Sequence, residues 1–331
     1  MVVLLLVAAN VINLGADIGA MGAALGLLIG GPIQLYAVVF GIVCVLLETF
    51  MSYARYCAAL KWTTLCLFAY VAVVFAAHAP WGTALASTLI PHFDFDKSHA
   101  MAMVAILGTT ISPYLFFWQA GQEVEELRRR HVKALCITPR EAGPELSRIR
   151  TDTIVGMGIS NLIALCIIFA TAATLNANGV IDIQTSSQAA EALRPVAGVF
   201  TFALFAAGII ATGMLAVPVL AGSSAYGISE VFRWTEGLDH RPKEAKAFYA
   251  AIAVATLGGV ALNFTSLDPV KALYWSAVVN GVLAAPLMAV MMVIAMNRRI
   301  MGRLTLPRPM LVVGWLATII MALATIGFFA I

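Results

Sequence analysis

The chain has 331 residues, of which 61% are hydrophobic and 11% are charged, and its mean hydropathy is +0.93. Soluble domains carry about 25% charged residues, so a water-soluble fold of this composition would expose too much apolar surface. The net charge of +3 comes without a basic stripe interleaved with aromatic residues, so no nucleic-acid partner is expected. The lipid bilayer is therefore the expected environment, and we predict an all-α, polytopic membrane protein.

Apolar segments recur along the whole chain, and a window of about 20 residues predicts about nine transmembrane helices. They lie near 2–29, 33–56, 62–79, 99–125, 151–176, 196–232, 246–264, 270–296 and 309–330. The connectors are too short for a soluble domain, so residues 1–331 are predicted to form a single transmembrane domain. No nucleophile–base constellation or cofactor loop is visible, so neither an enzyme nor a resident cofactor is expected.

Lysine and arginine are concentrated in three alternate connectors, near 126–150, 233–246 and 297–308. Cytoplasmic loops are enriched in these residues, so the three connectors are predicted to be cytoplasmic. The start of the chain is then expected inside the cell (inner or plasma) membrane and the C-terminus outside. The chain begins directly with an apolar run that is too long for a signal peptide, so we expect that an upstream segment is missing.

Polar side chains occur inside the first two spans, where each one is a candidate for an ion pathway or a helix contact. Asn10, Asn13 and Asp17 share one helical face of the first span. This face lines either a packed interface or a pathway, and Asn13 and Asp17 are the candidate pathway residues. Glu48 lies near the cytoplasmic end of the second span, two turns before Arg55, and an interfacial ion pair is the favoured expectation for it.

The fourth span, MAMVAILGTTISPYLFFWQAGQEVEELRRR, is the most informative segment. Pro113 lies in its middle and is predicted to interrupt the helix, because proline lacks an N–H and clashes with the preceding turn. The hydroxylated residues beside it are Thr109, Thr110, Ser112 and Tyr114. Hydroxyl and freed carbonyl oxygens are hard ligands suited to Mg²⁺, Ca²⁺ or Mn²⁺, and such breaks bind cations in transporters. The alternative is a simple proline kink packed against neighbouring helices.

Two further features of the later spans are candidates for the same pathway. Gln119 and the acidic residues after it form either a cation vestibule or, as the favoured interpretation, solvated partners of the arginines at 128–130. Asn280 lies well inside the eighth span, from which its side chain could reach a central cavity.

The segments ANVINLGADIGAMGAA, ALKWTTLCLFAYV, GTTISPYLFFWQAGQEVEE and YWSAVVNGVLAAPLM resemble the natural-resistance-associated macrophage protein (Nramp) family of divalent-metal transporters. They are most similar to bacterial relatives that lack the usual soft metal ligand. The resemblance implies a leucine-transporter-type inverted repeat without its first two helices, so that this chain provides the third to eleventh family helices. It also implies that the Thr109 carbonyl and Ser112 face the ion, with Ser112 in the place of the family's methionine.

The chain also departs from the family pattern. Ala20 stands where many members carry a glutamate tied to proton movement, and Ala277 where a glutamine commonly approaches the metal, with Asn280 as its candidate substitute. The first-helix Asp-Pro-Gly-Asn motif, which supplies the main charged ligand, has no match in this sequence. Loss of the thioether makes Mg²⁺ as acceptable as Mn²⁺.

The expected function is transport of a divalent cation by alternating access around a broken helix at 109–114. The expected pathway or gating residues are Thr110, Pro113, Tyr114, Asp17, Asn13, Asn280 and Gln119. The alternative is a truncated, non-transporting paralogue or membrane scaffold. A transporter of an organic solute on the same fold is a third possibility. The sequence leaves the oligomeric state and the coupling ion open.

Overall fold

The protein is described by a computed structural model that covers residues 2–51, 67–76, 97–131, 139–180, 186–194, 198–265 and 269–330, with isolated positions between them. It is 87% helical, and no strand occurs within these ranges. The longer helices are α1 (Val2–Ile29), α2 (Ile33–Phe50), α3 (Phe68–Ala76), α4 (Lys97–Thr110), α5 (Pro113–Arg129), α6 (Pro139–Thr174), α7 (Thr201–Phe232), α8 (Lys246–Leu262), α9 (Pro269–Met296) and α10 (Arg308–Ala330).

Seven helical segments in the described part of the chain are long and apolar enough to cross a membrane. The α8 helix is apolar but shorter, with 17 residues. Of the predicted third span, only part is described, mainly as α3, and the rest of 62–79 lies outside the described residues. Large apolar side chains remain exposed on α10, including Val312 (68%) and Phe329 (70%), as a lipid-facing helix requires. The prediction of an all-α polytopic membrane protein is confirmed.

Two predicted spans differ from the observed helices. The fourth span consists of two helices, α4 and α5, separated at Ile111 and Ser112. The fifth was predicted to begin at residue 151, whereas α6 begins at Pro139. Hydropathy detects only the apolar part of a helix, and the segment before residue 151 is helical but rich in charge.

The helices form two compact units. The first unit comprises Met1–Ala9, Asp94–Gly158 and Tyr274–Ile331, and therefore holds α4, α5, most of α9 and α10. The second comprises Asn10–Phe93 and Ile159–Leu273, and holds most of α1 together with α2, α3, α7 and α8.

In the first unit, α4 packs against α9 and α10. Val104 and Ala105 of α4 form a buried cluster with Ala277 and Val278 of α9. A second cluster, built on Ala284, Ala285 and Met321, receives Leu107 and Ile111. The chain on the α4 side of the interruption is therefore anchored by apolar packing.

In the second unit, α1 and α2 form a helical hairpin whose turn contains Gly30 and Gly31. Both glycines have positive φ (71° and 96°), a conformation that costs other residues energy. The α1 helix also packs closely on α8, because a Cβ placed on Gly15 would lie 2.9 Å from the Gly259 carbonyl oxygen. Asn263 ties the end of α8 to α1 by donating from Nδ2 to the Gly15 carbonyl at 2.9 Å.

Candidate ion site at a broken helix

The interruption between α4 and α5 follows from the sequence around Pro113. The last residue of α4 is Thr110, and α5 begins at Pro113, where the fixed proline φ suits a first helical position. Ser112 has φ −84° and ψ 128°, an extended conformation that steric contact with the following proline favours. The helix therefore stops and restarts at this point rather than bending smoothly.

The Ser112 hydroxyl compensates for the missing backbone donor. A helical N–H at position 113 would bond the Thr109 carbonyl, but proline has none. The single hydroxyl proton of Ser112 is instead shared between the Gly108 carbonyl, 2.7 Å from Oγ, and the Thr109 carbonyl, 3.1 Å from Oγ. The side chain is buried, being 2% exposed, and its oxygen lone pairs remain available as acceptors.

The two threonines before the break use their hydroxyls locally. Thr109 and Thr110 are exposed, and their Oγ1 atoms donate to the Ile106 carbonyl at 2.8 and 3.0 Å. The ligand that Thr109 can offer at the break is therefore its carbonyl oxygen, which has a second lone pair beyond the one facing Ser112.

Asn280 lies where α9 crosses α4 next to the break. A Cβ placed on Gly108 would lie 2.1 Å from the Ala277 carbonyl oxygen and 2.5 Å from the Gly281 amide nitrogen, so only glycine fits this crossing. Asn280 lies between the two α9 residues that contact Gly108, and Gly108 precedes Thr109 directly and Ser112 by one helical turn. Asn280 is 2% exposed, and its Oδ1 has no hydrogen-bond partner in the structure.

The oxygen donors at the break are neutral. They are the Ser112 hydroxyl and the Thr109 carbonyl, the Asn280 amide is a further candidate from the α4–α9 crossing, and neither 97–122 nor 269–296 contains Asp or Glu. Among the described residues no three His, Cys, Asp or Glu side chains are grouped so that they could hold a metal ion. Neutral oxygens of this kind are ligands that hard cations prefer.

The remaining candidates of the first unit lie beyond the break on α5. Pro113 is buried and Tyr114 is half-buried, both in the first turn of that helix. Gln119 is exposed, and its Nε2 donates to Glu123 Oε1 at 2.9 Å. Gln119 thus belongs to the polar end of α5 rather than to the buried donors at Ser112.

Two of the acidic residues at the end of α5, Glu123 and Glu126, are ion-paired. Glu126 contacts Arg130 at 2.6 Å, as the interpretation of solvated partners expects. Glu123 instead pairs with Arg148 of α6 at 2.7 Å, and Glu145 bridges Arg130 and Arg148 at 3.2 and 3.0 Å. The partnership between α5 and α6 was not predicted, since it depends on a helix start that hydropathy missed.

The polar face predicted on α1 belongs to the second unit, where its most buried member is Asn10. Asn10 is fully buried and donates from Nδ2 to Ser223 Oγ (2.8 Å), Ser224 Oγ (3.0 Å) and the Leu220 carbonyl (3.2 Å) of α7. Asn13 and Asp17 are half-buried. The sequence pointed to the shared face but did not single out Asn10 as the residue that binds α7.

Residues 1–330 match the family model of the natural resistance-associated macrophage protein-like (Nramp) proteins. The chain belongs to this family. Two relatives carry the name divalent metal cation transporter MntH. The one from Verminephrobacter eiseniae is 28% identical over 236 residues, which are 70% of this chain and 49% of the relative. The one from Caldanaerobacter subterraneus subsp. tengcongensis is 25% identical over 213 residues, 64% of this chain and 46% of the relative.

The Nramp membership and the apolar helices together make this a multi-pass membrane protein. The chain spans about half the length of the relatives it matches.

Proposed function

We propose that the protein transports a divalent cation, Mg²⁺ or Mn²⁺, which binds at the break between α4 and α5. The observation that carries this proposal is the interrupted helix with its buried serine hydroxyl, together with an unpaired asparagine oxygen on the helix that crosses α4 just before the break. Irregular backbone at membrane depth is tolerated where it is enclosed in protein or lines a cavity, and in transporters such breaks bind ions. The two relatives are named divalent metal cation transporters, which supports a divalent metal ion as the transported substrate.

The neutral donors favour an ion that keeps part of its hydration shell. Mg²⁺ dehydrates reluctantly and is usually bound with several waters in place. Ser112, the Thr109 carbonyl and Asn280 can accept hydrogen bonds from such waters or replace one or two of them. A fully dehydrated divalent ion would need carboxylate ligands, which neither 97–122 nor 269–296 contains.

The break also provides the moving part of an alternating-access cycle. Ile111 is packed into the cluster of α9 and α10, whereas α5 restarts at Pro113 with its own hydrogen-bond ladder. The extended Ser112 between them can absorb a change of angle with little loss of helix hydrogen bonding. Pro113, Thr110 and Tyr114 are the proposed gating residues, and Asn13 and Asp17 remain proposed pathway residues of the second unit.

The orientation predicted from the basic connectors completes the proposal. The start of the chain lies in the cytoplasm, the C-terminus lies outside, and the charged end of α5 with Arg148 faces the cytoplasm. Access from that side would pass the ion-paired residues rather than an open ring of carboxylates.

The test is ion uptake into sealed proteoliposomes that contain a fluorescent indicator for Mg²⁺ or Mn²⁺. We expect uptake of at least one of the two ions, its loss in Ser112→Leu, and its retention in Ser160→Leu, which changes an exposed helical serine. Uptake of neither ion by well-folded protein would instead support a non-transporting paralogue or scaffold. Inhibition of binding by amino acids, without metal uptake, would indicate an organic solute.

A further inference from the structure

Glu48 lies on the packed face of α2, in the second unit and outside the proposed ion site. The buried residues of this helix are Ala37, Gly41, Cys44 and Glu48, which recur at helical spacing and form one stripe. A Cβ placed on Gly41 would lie 2.3 Å from Val260 Cγ2 of α8. The stripe therefore faces the interior of the unit rather than lipid or water.

The contact of Cys44 places Glu48 against α7 as well. Cys44 Sγ lies 3.7 Å from Met214 Sδ of α7. Glu48 follows Cys44 by one helical turn in the same buried stripe, so it continues the face of α2 that packs on α7 and α8. It is 9% exposed, and neither carboxyl oxygen has a hydrogen-bond partner in the structure.

The hairpin register sets which polar groups share this depth. Ile18 Cδ1 would lie 3.9 Å from a Cβ on Gly41, and α1 runs antiparallel to α2. Counting back from Ile18 along α1 and forward from Gly41 along α2 brings Asn10 level with Glu48. Thr256 lies one helical turn before Val260 on α8, which is the direction from Gly41 toward the level of Glu48.

Asn10 and Thr256 also carry unpaired oxygens. Asn10 Oδ1 and Thr256 Oγ1 are buried without a hydrogen-bond partner, although Asn10 Nδ2 is bonded to α7. A buried oxygen without a hydrogen-bond partner costs free energy, and the Asn10 amide oxygen, which can only accept, needs a donor to relieve that cost.

Few charged or titratable side chains face Glu48 from the packed helices. On α1 the ionisable residue is Asp17, about two turns away from the level of Asn10, and α2 itself contributes Cys44 and Tyr36. The titratable groups of α7 and α8 are Tyr226, Glu230, Lys246 and Tyr249, with Glu230 and Lys246 exposed at the helix ends. An ionised Glu48 would therefore be an uncompensated charge among apolar helices.

We propose that Glu48 is a proton-binding site of the second unit, with the carboxyl group carried as the neutral acid in this packed arrangement. A proton adds no volume to a close-packed helix face, whereas a metal ion would need several more ligands and room for them. Release of this proton requires that the helices separate enough to admit water.

The test is infrared spectroscopy of the whole protein in lipid at neutral pH, in H₂O and D₂O. The carbonyl stretch of a protonated carboxylic acid is separate from the bands of carboxylates and amides. We expect such a band in the wild type, its shift after slow exchange into D₂O, its loss in Glu48→Gln, and its retention in Glu230→Gln. The readout does not depend on metal uptake, so it stands or falls separately from the proposed function.

Each other outcome overturns the proposal. A wild type without the band would mean that Glu48 is ionised, for example in an ion pair with Arg55, which lies outside the described residues. Persistence of the band in Glu48→Gln would assign it to another acid. A band that appears in choline buffer but disappears in sodium buffer would make the ligand a metal ion. Glutamine is the neutral isostere of the proposed acid, so failure of Glu48→Gln to fold would also count against it.

Discussion

Asparagine and serine are buried in both units, but they have different roles. In the second unit Asn10 ties α1 to α7 through Ser223 and Ser224, between helices that are continuous. In the first unit Ser112 lies at a helix interruption, and Asn280, on the helix that crosses α4 just before it, has an unpaired oxygen. A buried polar residue in a membrane helix is therefore a ligand candidate when an oxygen remains unpaired near an interruption, and a helix contact when its donors are used between continuous helices.

The prolines make the same distinction. Pro218 lies inside α7 and Pro286 inside α9, yet both helices continue through them. Pro113 coincides with a full interruption, where Ser112 is extended and its hydroxyl satisfies the freed carbonyl. A proline alone therefore does not break a membrane helix, and at Pro113 the preceding serine also offers a hydroxyl donor to the freed carbonyl.

The largest expected effect is at Ser112. Ser112→Leu removes both the donor to the Thr109 carbonyl and a candidate ligand, and it places a bulky group in a buried site. We expect the apparent metal affinity to fall by about 100-fold or more, since even outer-shell ligands of metals contribute 10–100-fold. Titration of metal-dependent uptake gives this value. Ser112→Ala serves as the matched variant, and an unchanged affinity in both would remove Ser112 from the site.

A somewhat smaller effect is expected at the helix crossing that holds Asn280. Gly108→Val would place a side chain 2.1 Å from the Ala277 carbonyl oxygen, so α4 and α9 must separate. Overpacking of this kind costs about 1–3 kcal/mol, which thermal unfolding in lipid or detergent will show. Gly156→Val is the control, because no other atom lies within 4 Å of a Cβ there. Equal destabilisation by both variants would contradict the close crossing.

The sequence predicted the helices and the break but not the contacts of the polar residues. Apolar length fixes the spans, and Pro113 with its hydroxylated neighbours indicates an interruption, because both are local properties of the chain. The pairing of Glu123 with Arg148 and of Asn10 with α7 depends on which helices pack together. The unpaired state of Asn280 and Glu48 is likewise visible only once the surrounding helices are placed.

Asn10→Ala tests the packing role of the buried polar contact between α1 and α7. The variant removes three hydrogen bonds between α1 and α7, and we expect a loss of about 1–2 kcal/mol of stability, as for other interhelical hydrogen bonds in membranes. Because the network belongs to helix packing, metal affinity is expected to be retained. Thermal unfolding and metal uptake are measured on the same preparation. A large loss of affinity without a loss of stability would contradict the packing role.

The smallest effect is expected at the polar end of α5. Arg148→Gln breaks the pairs with Glu123 and Glu145, whose side chains are partly exposed. Such pairs contribute about 0.2–1 kcal/mol, and less at high salt. We expect a slight fall in melting temperature at low ionic strength, disappearing as salt is added, with metal uptake nearly unchanged. A strong loss of uptake in Glu123→Gln would instead favour a cation vestibule at this end.

The most direct measurement locates the ion itself, using paramagnetic broadening by Mn²⁺ of a fluorine label. Trifluoromethyl-phenylalanine is placed at Phe116, one helical turn beyond Ser112, or at Trp315. The Trp315 indole contacts Met296, which lies about 24 Å along α9 from Asn280 at 1.5 Å per residue. Binding at the break predicts strong broadening at position 116, little at position 315, and loss of the effect when Ser112→Leu and Asn280→Leu are combined. Equal broadening at both positions, or none at 116 while Mn²⁺ is bound, would contradict an ion site at the broken helix.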